Sequence, residues 1–233
     1  MAMLILGDGV IGSEFARQTG WEHVSRKKDG FDFTNISHVK SALVHSHHGV
    51  AFSKRTNTVI NCVGCVDTFG PREKHWDINY RYVCDLTDVC NDLGIKLVHI
   101  SADYVHHNSK PNASRDDIPI HGDNWYSYTK LLADAYVQLR SQKYLILRGG
   151  GMKARPFPYG GAFVDQTGNF DYVDNVVKAF VQLIENDAVG LWQVGRKAHT
   201  VYDLAVETRD VFPMATIAGC PIDVTMKLDV CLE

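Results

Sequence analysis

The sequence lacks any unbroken apolar run of the roughly 18 residues that a membrane-crossing helix needs. Its N-terminus, MAMLILGDGVIG, starts apolar but has neither a basic leader nor a small-residue cleavage site, so it reads as a first buried strand. Basic runs are missing too. The net charge is −3, and the small groups in KRTNTV and at Lys27–Lys28 are local and solvated, so a nucleic-acid footprint is excluded. Of the six cysteines (62, 65, 84, 90, 220, 231), only Cys62 and Cys65 form a C-x-x-C. Without a second such pair or suitably spaced histidines, that motif argues against zinc and for two small thiols at a strand end, with a redox pair as the alternative. The histidines of HSHH at 45–48 and HH at 106–107 are adjacent rather than one helical turn apart, and His121 and His199 stand alone, so no metal is expected. A reducing, cytoplasmic compartment fits this usage.

What is present is an alternation of short apolar runs with helical patterns, the signature of βαβ units and a parallel sheet. The 233 residues suffice for one domain, or one domain with a small second lobe. Strands are expected at MLILG, EHVSRK, FDF, TVINCVG, KLVHISADYV, YLILRGGG and GLWQVG. Helices are expected at IGSEFARQTG, at TNISHVKSALVHSHH behind a Thr34 or Asn35 cap, and from Pro71 to Gly94. Further helices follow at the YSYTK segment, at DYVDNVVKAFVQLIEN and at VYDLAVETRDVF. The fold class is α/β, a Rossmann-like doubly wound parallel sheet. Residues 1–150 form the nucleotide-binding domain, and 151–233 a shortened lobe for substrate, partly interleaved with it.

GDGVIG at 7–12 is a G-x-G-x-x-G directly after an apolar strand and directly before a helix. In that setting Gly7 allows the tight turn, Gly9 lets the backbone approach a pyrophosphate, and Gly12 lets helix and strand pack closely. Val10 and Ile11 complete the loop against the cofactor, with the pyrophosphate on the helix N-terminus. A dinucleotide with a plain ribose calls for an acid at the end of the second strand; this chain has Ser25, Arg26 and Lys27 there. A hydroxyl followed by a guanidinium suits a 2′-phosphate, which selects NADP(H).

Tyr126 and Lys130 in YSYTK are one helical turn apart and share a face, whereas Tyr128 points elsewhere. Together with GDGVIG, VINCVG, Asn79 in WDINYRYV, ISADYV and ILRGG, this resembles an extended short-chain dehydrogenase/reductase of the dTDP-4-dehydrorhamnose reductase-like branch. The resemblance covers nearly the whole chain, thinning after Gly151. It implies Tyr126 as proton donor and Lys130 as the cation that lowers its pKa and holds the nicotinamide ribose. It implies Asn79 as support for a proton-relay water, with a buried side chain bonded to a neighbouring strand as the equal alternative. Asp32 would meet the adenine end, and Cys62, Val63 and Gly64 would line the cofactor. Asp103, Arg148, Lys153 and Arg155 form the substrate-facing set.

The chain departs from the branch in two ways. Its carbonyl-binding serine or threonine aligns with Ala102; Ser101, one residue early, would normally turn to the other strand face, yet it is kept as the candidate catalytic hydroxyl because a bulge or the strand end would bring it round. The lobe after residue 151 is short. No cysteine lies in SADYVHHNSK, so the resemblance favours a plain 4-ketoreductase over a combined epimerase–reductase. It implies a nucleotide-sugar substrate and leaves room for a homodimer. A cofactor-binding regulatory subunit, or a reductase or epimerase of another nucleotide sugar, remains the alternative.

Overall fold

A computed structural model describes residues 2–44, 56–117 and 119–233. The HSHH histidines at 45–48, on which the expected helix TNISHVKSALVHSHH would end, and Lys54 and Arg55 lie outside the described residues. In chain order the elements begin with β1 (Met3–Leu6), α1 (Val10–Thr19), β2 (Glu22–Val24), α2 (Arg26–Asp29), α3 (Ile36–Val44) and β3 (Thr58–Asn61). Next come α4 (Arg72–His75), a π-helical turn (Trp76–Arg81), α5 (Tyr82–Leu93), β4 (Lys96–Ala102), a 3₁₀ turn (Asp103–His106), α6 (Trp125–Arg140) and β5 (Tyr144–Gly149). The remainder is β6 (Gly161–Phe163), β7 (Thr167–Gly168), α7 (Val173–Glu185), β8 (Gly190–Arg196), β9 (His199–Thr200), α8 (Val201–Val206), β10 (Phe212–Met214) and β11 (Val230–Leu232).

Seven strands form one parallel sheet in the order β11-β8-β5-β4-β3-β1-β2. Helices cover both faces, which is why the central strands read as continuous apolar runs rather than alternating ones. Leu4 and Leu6 of β1 face a core shared with α3, α5 and α6. Ile5 faces the opposite core, against Phe15 of α1 and Phe180 of α7. Residues beyond 151 return β8 and β11 to the sheet and build a smaller third core around Phe157, Phe170, Tyr172 and Leu204. The chain runs from β1 outward to β2, then crosses to β3 on the other side of β1. That reversal opens a crevice at the carboxyl ends of β1 and β3.

Three local expectations are corrected. EHVSRK stops as a strand at Val24, because Ser25 Oγ accepts the Lys28 amide at 2.9 Å and Ser25 N donates to Asp29 Oδ2 at 2.8 Å, starting α2. FDF is not a strand: Asp32 Oδ1 accepts both the amide (2.9 Å) and the hydroxyl (2.7 Å) of Thr34, which bends the chain. The tail carries an unexpected strand, β11, beside β8.

Arg148, expected at the substrate, lies instead in the interior, 2% exposed, and its Nε donates to the fully buried Asp134 Oδ2 at 3.0 Å. Register explains this: Arg148 is paired with Ser101 across β4 and β5, under the middle of α6. Ser101 Oγ donates to the same carboxylate oxygen at 2.8 Å. Removing one partner of a buried, hydrogen-bonded ion pair strands the other charge. Asp134→Ala should therefore lower the unfolding free energy by about 3–5 kcal/mol in chemical denaturation.

Candidate active site

The glycine loop links β1 to α1. Gly7 has φ +101°, the region that favours glycine. A Cβ on Gly12 would collide with the carbonyl of Gly7, so that glycine is needed for the helix to sit on the loop. Gly9 is different. Its φ of −65° suits any residue, and a Cβ there would meet no protein atom within 4 Å. Its missing side chain serves the cleft rather than the fold. It leaves room for a group to approach the N-terminus of α1, where free N–H groups favour an anion.

A cleft of about 350 Å³ opens there. Of the expected cofactor residues, Gly7, Gly9, Arg26, Asp32, Cys62, Val63 and Gly64 line it. Val10 is exposed at the start of α1, and Ile11 packs towards the second core. Ser25 is buried with its hydroxyl oxygen capping α2, so it does not reach the cleft as expected, and Lys27 is exposed and outside the lining. Asp8, Phe33, Thr34, Asp67, Lys74 and Tyr82 were not foreseen as lining residues. Lys74 and Tyr82 come from the segment after β3, and no local motif marks a residue that only chain reversal brings to a cleft. The residues present fit a dinucleotide phosphate: an open glycine, a helix N-terminus, and the cations Arg26 and Lys74.

Tyr126 and Lys130 come from the first turns of α6, whose N-cap Asn124 accepts the Ser127 amide at 2.7 Å. Lys130 reaches past the tyrosine to β4. Its Nζ donates to Ile100 O at 2.7 Å and lies 3.3 Å from His99 Nε2. Burial lowers the Lys130 pKa to about 8, against the pull of Asp134 and Cys62. The expectation that Lys130 depresses Tyr126 is corrected here. The phenol is pushed up, first by burial and then by Asp103, Tyr104 and Asp134. Helical spacing aligns two Cβ atoms, but the four-carbon stem carries the ammonium on to the strand.

Asn79 sits in the π-helical turn with both ends of its amide engaged. Its Oδ1 accepts the Cys65 amide at 2.7 Å, and its Nδ2 donates to Cys65 O at 2.9 Å. It pins the loop after β3 rather than a neighbouring strand. His75, on the same helical stretch, packs edge-on to Tyr126, with ring centroids 6.2 Å apart. Burial raises the Cys62 thiol far out of the reactive range. Among the described residues no cluster of His, Cys, Asp or Glu could hold a metal.

On the substrate side, Ser101 turns to Asp134 and Ala102 has no hydroxyl. Asp103 is buried, and its Oδ2 accepts the Gly151 amide at 3.0 Å. Lys153 lies 5.6 Å over the Tyr159 ring and close enough to Asp103 to oppose the effect of burial on it. Arg155 is tied to Asp174 at 3.1 Å and stacks 4.0 Å over Tyr172, a packing role in place of the expected substrate contact. Tyr104, Gln166 and Cys220 also meet beside Tyr126, a grouping that sequence spacing does not reveal.

Burial raises the Asp103 pKa to about 7. The folded state then holds a proton that the unfolded chain releases at lower pH, so stability should fall as pH rises from about 4 to about 7. Asp103→Asn should flatten that slope, its advantage over the native chain growing by at most about 1.4 kcal/mol per pH unit across the window in denaturant titrations.

A family model described as the RmlD substrate binding domain matches residues 1–166. No curated protein matches the chain in sequence. Among solved structures, a dTDP-4-dehydrorhamnose reductase from Bacillus anthracis in complex with NADP is similar with a TM-score of 0.80 at 19% identity, covering 98% of this chain and 90% of that one. A hypothetical dTDP-4-dehydrorhamnose reductase from Sulfolobus tokodaii has a TM-score of 0.80 at 21% identity, covering 100% of this chain and 98% of that one. The Bordetella bronchiseptica enzyme WbmG, in complex with NAD and UDP, has a TM-score of 0.74 at 14% identity, with 98% and 86% covered. At these identities the likeness is one of fold, while the family model spans well over half of the sequence. The chain therefore belongs to the RmlD substrate binding domain family, and its fold is a Rossmann-like parallel sheet.

Proposed function

We propose that the protein is an NADPH-dependent reductase of the C4 ketone of a nucleotide-linked 6-deoxy-4-ketohexose, acting in the cytoplasm. The observation that carries this reading is the open Gly9 at the mouth of a cleft with Arg26 and Lys74, on a sheet against which α6 sets Tyr126 and Lys130. Two structural neighbours, described as a dTDP-4-dehydrorhamnose reductase with NADP and as an enzyme with NAD and UDP, support the cofactor and substrate classes. Residues 1–150 hold the cofactor in this reading, and the segment from 151 shapes the substrate end.

The nicotinamide, when bound, supplies hydride to the carbonyl carbon. Tyr126 gives its proton to the carbonyl oxygen; with its pKa raised, the phenol stays in the acid form throughout the neutral range. Lys130 has a pKa of about 8 and so keeps its charge at pH 7, and it anchors the end of β4 through Ile100 O. A second reading, a cofactor-binding regulatory subunit, is favoured by one observation: neither Ser101 nor Ala102 offers a hydroxyl to a substrate carbonyl.

NADPH consumption should be measured with dTDP-, UDP- and GDP-linked 4-keto-6-deoxyhexoses. Turnover that Tyr126→Phe lowers by about 10²–10⁴-fold is expected for loss of a general acid. Tight NADPH binding without turnover on any conjugate would favour the regulatory reading. Gly9→Ala should leave the melting temperature unchanged while weakening NADPH binding about tenfold or more in fluorescence titration, since its Cβ would enter only the ligand's space.

A further inference from the structure

We propose that the hydroxyl of Tyr104 holds the substrate's carbonyl oxygen, taking the place of the hydroxyl that this chain lacks at position 102. The inference rests on the reductase reading above. A proton donor alone does not orient a carbonyl; a second fixed donor aimed at the same oxygen stabilises the charge that develops there as hydride arrives. The strand-end side chains cannot provide it, because the Ala102 side chain has no polar atom and Ser101 Oγ is spent on Asp134 at 2.8 Å.

Tyr104 stands two residues further on, in the 3₁₀ turn that continues β4. Its ring meets that of Tyr126 edge-on, with centroids 5.7 Å apart, so the two side chains are direct neighbours. Gln166 Nε2 donates to the Tyr104 oxygen at 3.1 Å and also to Pro221 O at 2.6 Å, which fixes the amide's orientation. The Tyr104 oxygen thus already accepts a hydrogen bond, and its own O–H is left to donate. The partner it meets in this structure is the Cys220 thiol. Sulfur is a weak acceptor, and a polarised carbonyl oxygen is a stronger one. Burial raises the Tyr104 pKa, which keeps the donor proton in place across the working pH range. Tyr104 also packs against the third core, so the lobe after residue 151 positions it. No proton passes through Tyr104: hydride goes to carbon, the proton comes from Tyr126, and Tyr104 contributes a hydrogen bond only.

The test compares the native chain, Tyr104→Phe, Ala102→Ser and the double variant. Each is assayed for NADPH oxidation with the 4-keto-6-deoxyhexose conjugates above and for NADPH affinity by fluorescence. Tyr104→Phe keeps the ring contacts and should lower kcat about 10²-fold with NADPH affinity unchanged. Ala102→Ser in that background should restore about tenfold or more of the loss, because it returns a hydroxyl to the strand end. A kcat for Tyr104→Phe close to that of the native chain would overturn the proposal and leave the reductase reading standing. A loss that Ala102→Ser does not relieve would also overturn it, marking Tyr104 as a packing residue. A native chain inactive on every conjugate would remove the reductase reading and this inference together.

Discussion

The buried carboxylate of Asp134 is the contact on which the geometry of the site depends. It joins three elements at once: α6, which carries it, β4 through Ser101, and β5 through Arg148. His99 of β4 stands 3.7 Å from its other oxygen. Tyr126, Lys130 and Asp134 are spaced i, i+4, i+8 along α6, so fixing the carboxylate against the sheet fixes the rotation of the helix. The direction in which Tyr126 and Lys130 project follows from that rotation. A buried ion pair of this kind gives little net stability over apolar packing, but it penalises any other register of helix on sheet.

The same arrangement accounts for the departures at the strand end. Two hydrogen-bond donors, Ser101 and Arg148, converge on one oxygen of the Asp134 carboxylate beneath α6, so Ser101 belongs to the interior. In the proposed reductase reading, the hydroxyl that holds the ketone comes from elsewhere. The 3₁₀ turn following β4 presents Asp103 and Tyr104 instead, and the C-terminal segment brings Gln166, Lys153 and Cys220 to meet them. Lobe and sheet are thus coupled through a handful of side chains at the mouth of the site, with Tyr104 touching both.

The cofactor end follows a different logic. Gly7 and Gly12 are required by the protein's own packing, whereas Gly9 is not. The three glycines look alike as a motif, and only the contacts around each separate a turn, a close packing and an open approach. The basic side is also redistributed. Arg26 remains at the cleft, Ser25 turns inward as a helix cap, and Lys74 arrives from the far wall.

Much was legible from local pattern, because local pattern is set by short-range physics. Apolar runs bounded by glycine gave the central strands, Gly20 and Gly94 ended helices in left-handed conformations, and the i, i+4 spacing put Tyr126 and Lys130 on one helix face. The glycine loop could be assigned its turn because its strand and helix are its immediate neighbours. Tertiary structure alone decided where charges went. Arg148 reads as a substrate arginine until register places it under α6, and the reach of Lys130 to Ile100 O, rather than to the tyrosine, depends on how far β4 lies from the helix. The meeting of Tyr104 with Gln166 and Cys220 spans residues far apart in the chain. Burial, which raised Tyr126 and lowered Lys130, is a property of the packed whole, so the protonation of the site was settled only when the sheet, α6 and the lobe closed around it.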